Sequence, residues 1–203
     1  MKTSKIIFSV GIALTLTITS LSVSQSSFAD QLPFEPVSDY AQVEKTKQGF
    51  EKSMKQKKER TAKLKDKADA NEMILATFTF SKALTEQEIQ KLVDKYGLDL
   101  KYVYTRSIDR QDLRVTALHE VSGTQYINKR LIDDYIKNFG GEYKGIIEAN
   151  GYIKAGMVDK IDKEKLVYLT DTDGDPKIKS NPKKKFPVGQ YWNLEDNTMT
   201  LSE

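Results

Sequence analysis

Three aspartates at alternate positions, Asp171, Asp173 and Asp175, come closest in type and spacing to a chemical site. Side-chain oxygens at positions one, three and five of a loop can converge on a calcium ion, which takes six to eight oxygen ligands. Such a loop also needs glycine at position six and a bidentate glutamate at position twelve, and here Pro176 and Pro182 stand there. The expectation is an isolated weak calcium site or an ordinary polar turn, with no other cofactor. His119, the single histidine, precedes Glu120 as in a zinc helix, but the second histidine four residues on is replaced by Gly123. It is expected on a strand, at the surface or half-buried. With no cysteine there is no thiol nucleophile, and no Gly-x-Ser-x-Gly turn presents a serine. No glycine loop is built for phosphate. Acidic residues are plentiful, but nothing singles out two of them as a pair for glycoside hydrolysis. No catalytic residue is assigned.

Binding is better supplied than catalysis. Between Glu44 and Lys67 there are ten basic and four acidic residues, a local charge of +6. Lys55, Lys57, Lys58 and Lys63 are the candidates for contact with an anionic surface, such as lipid headgroups or a phosphate-rich wall polymer. The competing expectation is a solvated helix attracted to its own acidic domain. Lys57 interrupts the apolar stripe, so its loss is expected to tighten packing.

The elements that must position these residues begin after an export signal. Lys2 and Lys5 precede an uncharged apolar stretch from Ile6 to Val23, and Ser27 and Ala29 suit cleavage before Asp30. Residues 1–29 are therefore read as a cleavable signal peptide, with an uncleaved anchor as the alternative. The product is expected to be secreted, without a membrane span and without lipid attachment. Losing Lys2 and Lys5 lowers the net charge from +3 to +1, so the chain outside the basic stretch carries about −5. Export removes nucleic acid as a partner. Absence of disulfides leaves stability to packing, and cysteine-free secretion hints at a Gram-positive source.

Residues 30–38, with Pro33 and Pro36, form an extended leader. Residues 39–72 have helix-forming composition, with Ser38 or Asp39 as cap. Val43, Lys47, Phe50, Met54, Lys57, Thr61, Leu64 and Ala68, spaced four and three apart, give one interrupted amphipathic stripe. A domain follows over 73–179, then a tail over 180–203 that carries the only tryptophan, Trp192.

Within the domain, Met73–Phe80 reads as a strand. The next helix has Thr85 as N-cap, Glu88 completing a capping box and Gly97 as its stop. A second strand over 98–105 makes a right-handed crossover unit with parallel strands. Leu113–Val121 reads as a strand, Tyr126–Phe139 as an amphipathic helix stopped by Gly140-Gly141, and 146–161 as a strand or hairpin. Asp162–Leu169 is expected to be a short helix capped by Asp162, and 175–178 a last edge strand.

Two pieces carry a resemblance: strand-helix-strand from Leu75 to Thr105, and Gly151 to Ile178 with Asp-x-x-x-Leu-x-x-Leu followed by Asp-Pro-x-Ile. Together they resemble the ferredoxin-like βαββαβ layout of subtilase propeptides and their stand-alone inhibitor relatives (inhibitor I9-like). The resemblance covers about sixty residues of pattern, and it implies an α+β fold and an inhibitor or chaperone of a secreted subtilisin-type protease. The chain departs from that family in three ways. Residues 107–146 form a large insertion where the family has a short hairpin, no protease domain follows, and no terminal segment suited to blocking a protease cleft is identified. The expected function is non-enzymatic binding at the cell envelope, with the insertion carrying specificity. Inhibition of a secreted protease is the alternative, and an extracellular hydrolase the second alternative.

Overall fold

The computed structural model describes residues 46–63, 67–175 and 186–196. Strand β1 (Met73–Leu84) shows why the fold has two covered faces. Ile74, Ala76, Phe78 and Phe80 alternate with Leu75, Thr77 and Thr79, and all seven side chains are buried. Successive strand residues point to opposite faces, so a strand buried on both sides must be sandwiched between two layers.

Helix α2 (Glu86–Tyr96) forms as its sequence dictates. Thr85 accepts a hydrogen bond from the Glu88 N–H, and Glu88 accepts one from the Thr85 N–H, closing the capping box. Ile89, Leu92 and Tyr96 line its buried face. Gly97 ends it at φ 64°, in the left-handed region where a side chain would be strained. Strand β2 (Asp99–Ile108) follows, then β3 (Arg114–Glu120), α3 (Lys129–Phe139) and β4 (Glu142–Lys154). A 3-10 turn (Ala155–Met157) and the short α4 (Val158–Ile161) lead to β5 (Val167–Asp171). Before all of these stands α1 (Lys47–Ala62), and after them α5 (Tyr191–Leu194).

The five strands form one sheet in the order β3-β2-β4-β1-β5, with each neighbouring pair antiparallel. The class is α+β of the ferredoxin-like type. β1 and β2 run parallel, as expected of the crossover, but β4 lies between them. β3 and α3, which fall within 107–146, extend the sheet by one edge strand and one helix. On the face under α2 and α3 the core is apolar, built from Ile74, Phe78, Ile89, Val103, Ala149 and Ile153, among others. The opposite face is covered by α1 and by residues 186–196.

Three expectations need correction. Helix α1 is capped by Thr46, whose hydroxyl accepts from the Gly49 N–H at 3.1 Å; Ser38 and Asp39 lie outside the described residues. The expected helix over Asp162–Leu169 is not formed, because Val167–Asp171 is the strand that pairs with β1. Asp162 instead follows the end of α4, and its carboxylate accepts from the Thr170 N–H at 3.1 Å. The expected last strand over 175–178 begins in a turn at Asp175, and residues 176–178 lie outside the described residues.

Candidate functional site

The basic helix has two sides with different tasks. Phe50, Met54, Lys57 and Thr61, spaced four, three and four apart, form its inner row. Phe50 stacks on Tyr168 with ring centroids 6.0 Å apart. Thr61 donates to the Thr170 carbonyl at 3.1 Å. Lys57, the apparent interruption of the stripe, forms an ion pair with Asp171, whose side chain is only 2% exposed. One turn on, Arg60 grips Asp173 in a fork, Nε to Oδ1 at 2.8 Å and a terminal nitrogen to Oδ2 at 2.6 Å. Hydrogen bonding to Asp173, partly opposed by desolvation, raises the Arg60 pKa. Loss of Lys57 therefore leaves a buried carboxylate without its cation and loosens the helix, the reverse of the expected tightening.

The three aspartates are thereby divided among different partners. Asp171 meets Lys57 and accepts from the Asp173 N–H at 2.9 Å. Asp173 meets Arg60, and Asp175 accepts from the Leu75 N–H at 2.9 Å. Among the described residues no group of three or more histidine, aspartate or glutamate side chains is arranged to hold a metal ion. The Asp171–Asp175 segment instead anchors α1 to the sheet.

On the outer side Lys47, Lys52, Lys55, Lys58 and Lys63 are exposed, together with Glu51 and Glu59. Lys58 Nζ lies 5.5 Å from the centroid of the Tyr168 ring. Met54, Lys55, Lys58, Ala62 and Tyr168 contribute to an open groove of about 550 Å³ along the helix. Of the four expected surface lysines, Lys55, Lys58 and Lys63 face outward, and Lys57 does not.

A second cluster, unread in the sequence, lies on the same sheet face. Arg106 on β2 is 1% exposed. Its guanidinium donates to Glu195 at 3.1 and 2.5 Å and to the Thr116 hydroxyl at 2.7 Å. The Trp192 ring lies 4.6 Å from the Arg106 guanidinium and 4.7 Å from that of Arg114. Arg114 also pairs with Asp196 at 2.6 Å.

Glu148 sits deeper. The β4 register moves from Tyr104↔Glu148 to Thr105↔Ile146, so Ile147 is an extra residue, a bulge that re-aims the local side chains. Glu148 accepts from the Tyr191 N–H at 2.7 Å, and burial pushes its carboxyl up to about 7. Gly189 crosses directly above it: a Cβ there would lie 1.9 Å from the carboxylate. The Thr77 hydroxyl lies 2.9 Å from Asn150 Oδ1 and 2.8 Å from the Pro187 carbonyl, and Asn150 donates to the Tyr104 hydroxyl at 3.1 Å. The Gln190 N–H donates to Thr79 at 3.0 Å. Backbone and side chains of 186–196 are thus read by matched groups on the sheet.

His119 is on strand β3, as expected, but it is buried, 3% exposed. Its Nδ1 accepts from the Asn128 N–H at 3.2 Å, which leaves Nε2 to carry the proton toward the Thr105 hydroxyl at 2.9 Å. Desolvation lowers its pKa, so it rests neutral and joins α3 to the sheet.

The signals that could have found the second cluster are slight: a lone glutamate inside Ile-Ile-Glu-Ala-Asn and one tryptophan followed by two acids. Comparison with known protein families, with characterised proteins and with solved structures finds no match to this chain. Among the described residues no helix is long and apolar enough to cross a membrane.

Proposed function

We propose that this chain is a secreted, non-enzymatic binding protein that works at the cell envelope, holding an anionic surface or polymer with the outer side of α1. The observation that carries this reading is the division of cations on that helix. Lys57 and Arg60 are paired with Asp171 and Asp173, while five lysines against two glutamates stay exposed beside an open groove. A docked helix presents these charges in a fixed array, so docking and surface binding are compatible. Asp171, Asp173 and Asp175 are not part of this reading.

Sedimentation with anionic vesicles and with purified cell wall tests it. The bound fraction falls steeply as the Debye length shrinks from about 30 Å at 0.01 M salt to about 8 Å at physiological strength. Replacing Lys55, Lys58 and Lys63 with glutamine abolishes binding and leaves thermal unfolding unchanged. A protein that stays in the supernatant with both materials at low salt overturns the reading.

Inhibition or chaperoning of a secreted subtilisin-type protease is the second reading, favoured by the strand order β2-β4-β1-β5 once β3 is set aside. It requires stoichiometric slowing of such an enzyme without consumption of the protein. Immediate degradation without a lag discards it.

A further inference from the structure

The two edges of the sheet are treated differently. At one edge, β5 is buried along almost its whole length and is hydrogen-bonded to α1 through Thr61. At the other, β3 pairs with β2 on one side, and among the described residues no strand pairs with its outer side. An exposed edge strand presents a row of open N–H and C=O groups, which proteins commonly blunt with proline, lysine or a bulge. β3, Arg-Val-Thr-Ala-Leu-His-Glu, has neither proline nor lysine, and its register with β2 runs from Tyr102↔Glu120 to Ile108↔Arg114 without a shift. Among the described residues, four of the five exposed large apolar side chains lie within this insertion: Leu113, Leu118, Leu131 and Phe139. Leu131 and Phe139 fall with Tyr135 at four-residue spacing on α3, and the Tyr135 and Phe139 rings are 5.1 Å apart.

The direction of the free backbone groups follows from the ladder. The Val121 N–H donates to the Lys101 carbonyl, and the Asp109 N–H to the Leu113 carbonyl. In an antiparallel pair, hydrogen-bonded and non-hydrogen-bonded positions alternate. Residues 113, 115, 117, 119 and 121 therefore face β2, and Arg114, Thr116, Leu118 and Glu120 direct their N–H and C=O groups outward. If β3 pairs with its own copy antiparallel about Ala117, Thr116 meets Leu118 of the second copy and Arg114 meets Glu120 of the second copy. Each outward residue then exchanges both backbone bonds, giving eight in all by the alternation rule. The same register sets opposite charges against each other at both ends, with Glu120 of the second copy joining the Arg114 cluster that already holds Glu195 and Asp196. A shift of the centre to Thr116 or Leu118 loses those charge pairs and leaves outward groups unmatched.

We infer that the protein self-associates through the free edge of β3, two copies joining as one continuous sheet with a two-fold axis at Ala117. Antiparallel pairing of a strand with itself is isologous, so it closes at two copies. It covers the two Leu118 side chains as diagonal neighbours and puts both copies of α3 on the same face of the joined sheet. This surface is separate from the outer side of α1, so its failure would leave the envelope-binding reading untouched.

Sedimentation velocity of the purified protein over a concentration series, with amide hydrogen exchange at both ends of the series, is the test. A concentration-dependent dimer is expected. Arg114, Thr116, Leu118 and Glu120 amides gain protection as it forms, while Val115, Ala117 and His119 amides, already bonded to β2, change little. Glu120→Arg sets like charges opposite each other twice, and Leu118→Lys puts a charge at the centre of the edge. Each should raise the dimer dissociation constant at least about tenfold, with unchanged circular dichroism and with an unfolding midpoint equal to the parent's at concentrations where both are monomeric. A protein that is monomeric throughout the series overturns the inference. So does a dimer that survives both substitutions, or one whose formation protects none of the four outward amides.

Discussion

The two faces of this sheet are both covered, but by different physics. Under α2 and α3 the contact is Ile74, Phe78, Val103 and Ile153 against Ile89 and Leu92, apolar surface removed from water. Under α1 and residues 186–196 a smaller apolar cluster of Phe50, Met54, Ile147, Leu169, Tyr191 and Leu194 is joined by Lys57 on Asp171, Arg60 on Asp173, Arg106 on Glu195 and the Tyr191 N–H on Glu148. Apolar burial is indifferent to pH and little affected by ordinary salt. Paired buried charge responds to pH, is screened little by salt, and demands one geometry. The contrast concentrates pH-sensitive contacts on the α1 face, with His119 as the exception on the other.

The sharpest way to break that contrast is on the apolar face. Phe78→Ala, at a fully buried position, should cost about 4 kcal/mol through lost transfer and the cavity left behind. The loss is expected to be global, so urea unfolding followed by far-ultraviolet circular dichroism and by Trp192 fluorescence should shift together.

Arg106→Met tests the charged face at about 3 kcal/mol, because it removes the two close bonds to buried Glu195 and leaves it only the longer Arg114 contact at 3.3 Å. Here the two probes should separate. Trp192 emission shifts red as residues 186–196 leave the sheet, while the circular dichroism transition stays near its original midpoint. A single coincident transition would show that the two faces are one cooperative unit.

The third prediction concerns pH. Glu148 ionises near its ordinary 4.5 when unfolded and near 7 when folded, because burial disfavours its charge. The folded chain thus holds a proton that the unfolded chain releases. Its contribution is fully present below pH 4.5 and is lost as pH rises to about 7, a change on the order of 3 kcal/mol for a shift of this size. Glu148→Gln should remove that slope and make the protein more stable than its parent at pH 8, in urea midpoints measured across the range. His119, on the helix-covered face, acts in the opposite sense. Its lowered pKa gives stability that is present above 6.5 and lost as pH falls below that value.

The smallest effect sharpens the apolar side. Thr85→Ala removes the hydroxyl that accepts from the Glu88 N–H and should cost about 1 kcal/mol. The cost should be the same in low and high salt, and that of Arg106→Met should change little as well, because its pair is buried.

What could be read in advance follows the range of the forces involved. Thr85, Glu88 and Gly97 announce α2 because a cap is made with residues three or four away. β1, β2, β3 and α3 follow from alternation and periodicity for the same reason. The misreading of Asp162–Leu169 came from Leu166 and Leu169, whose spacing suits a helix. Pairing of Thr77 with Asp171 and Thr79 with Leu169 overrides that local preference. The lysine side of α1 was legible as charge, but the inward turn of Lys57 depends on Asp171, 114 residues away. Arg106 gave no sign at all, since its partner Glu195 is 89 residues on and its burial depends on Trp192 lying over it.

Those separations have a kinetic consequence. The contacts that close the charged face join α1 to β5 across 109 to 114 residues and β2 to the C-terminal segment across 89. Contacts between distant residues must overcome loop closure before they return any energy, which slows their formation. Helix α2 and the β2–β3 hairpin need only neighbours and can form early. Residues 186–196 cannot seat until they follow the strands they cover, and Glu195 comes 89 residues after Arg106. A growing or threading chain would therefore keep Arg106 and Glu148 open to water until residues 186–196 arrive, so these two buried groups would be covered after the apolar face has begun to form.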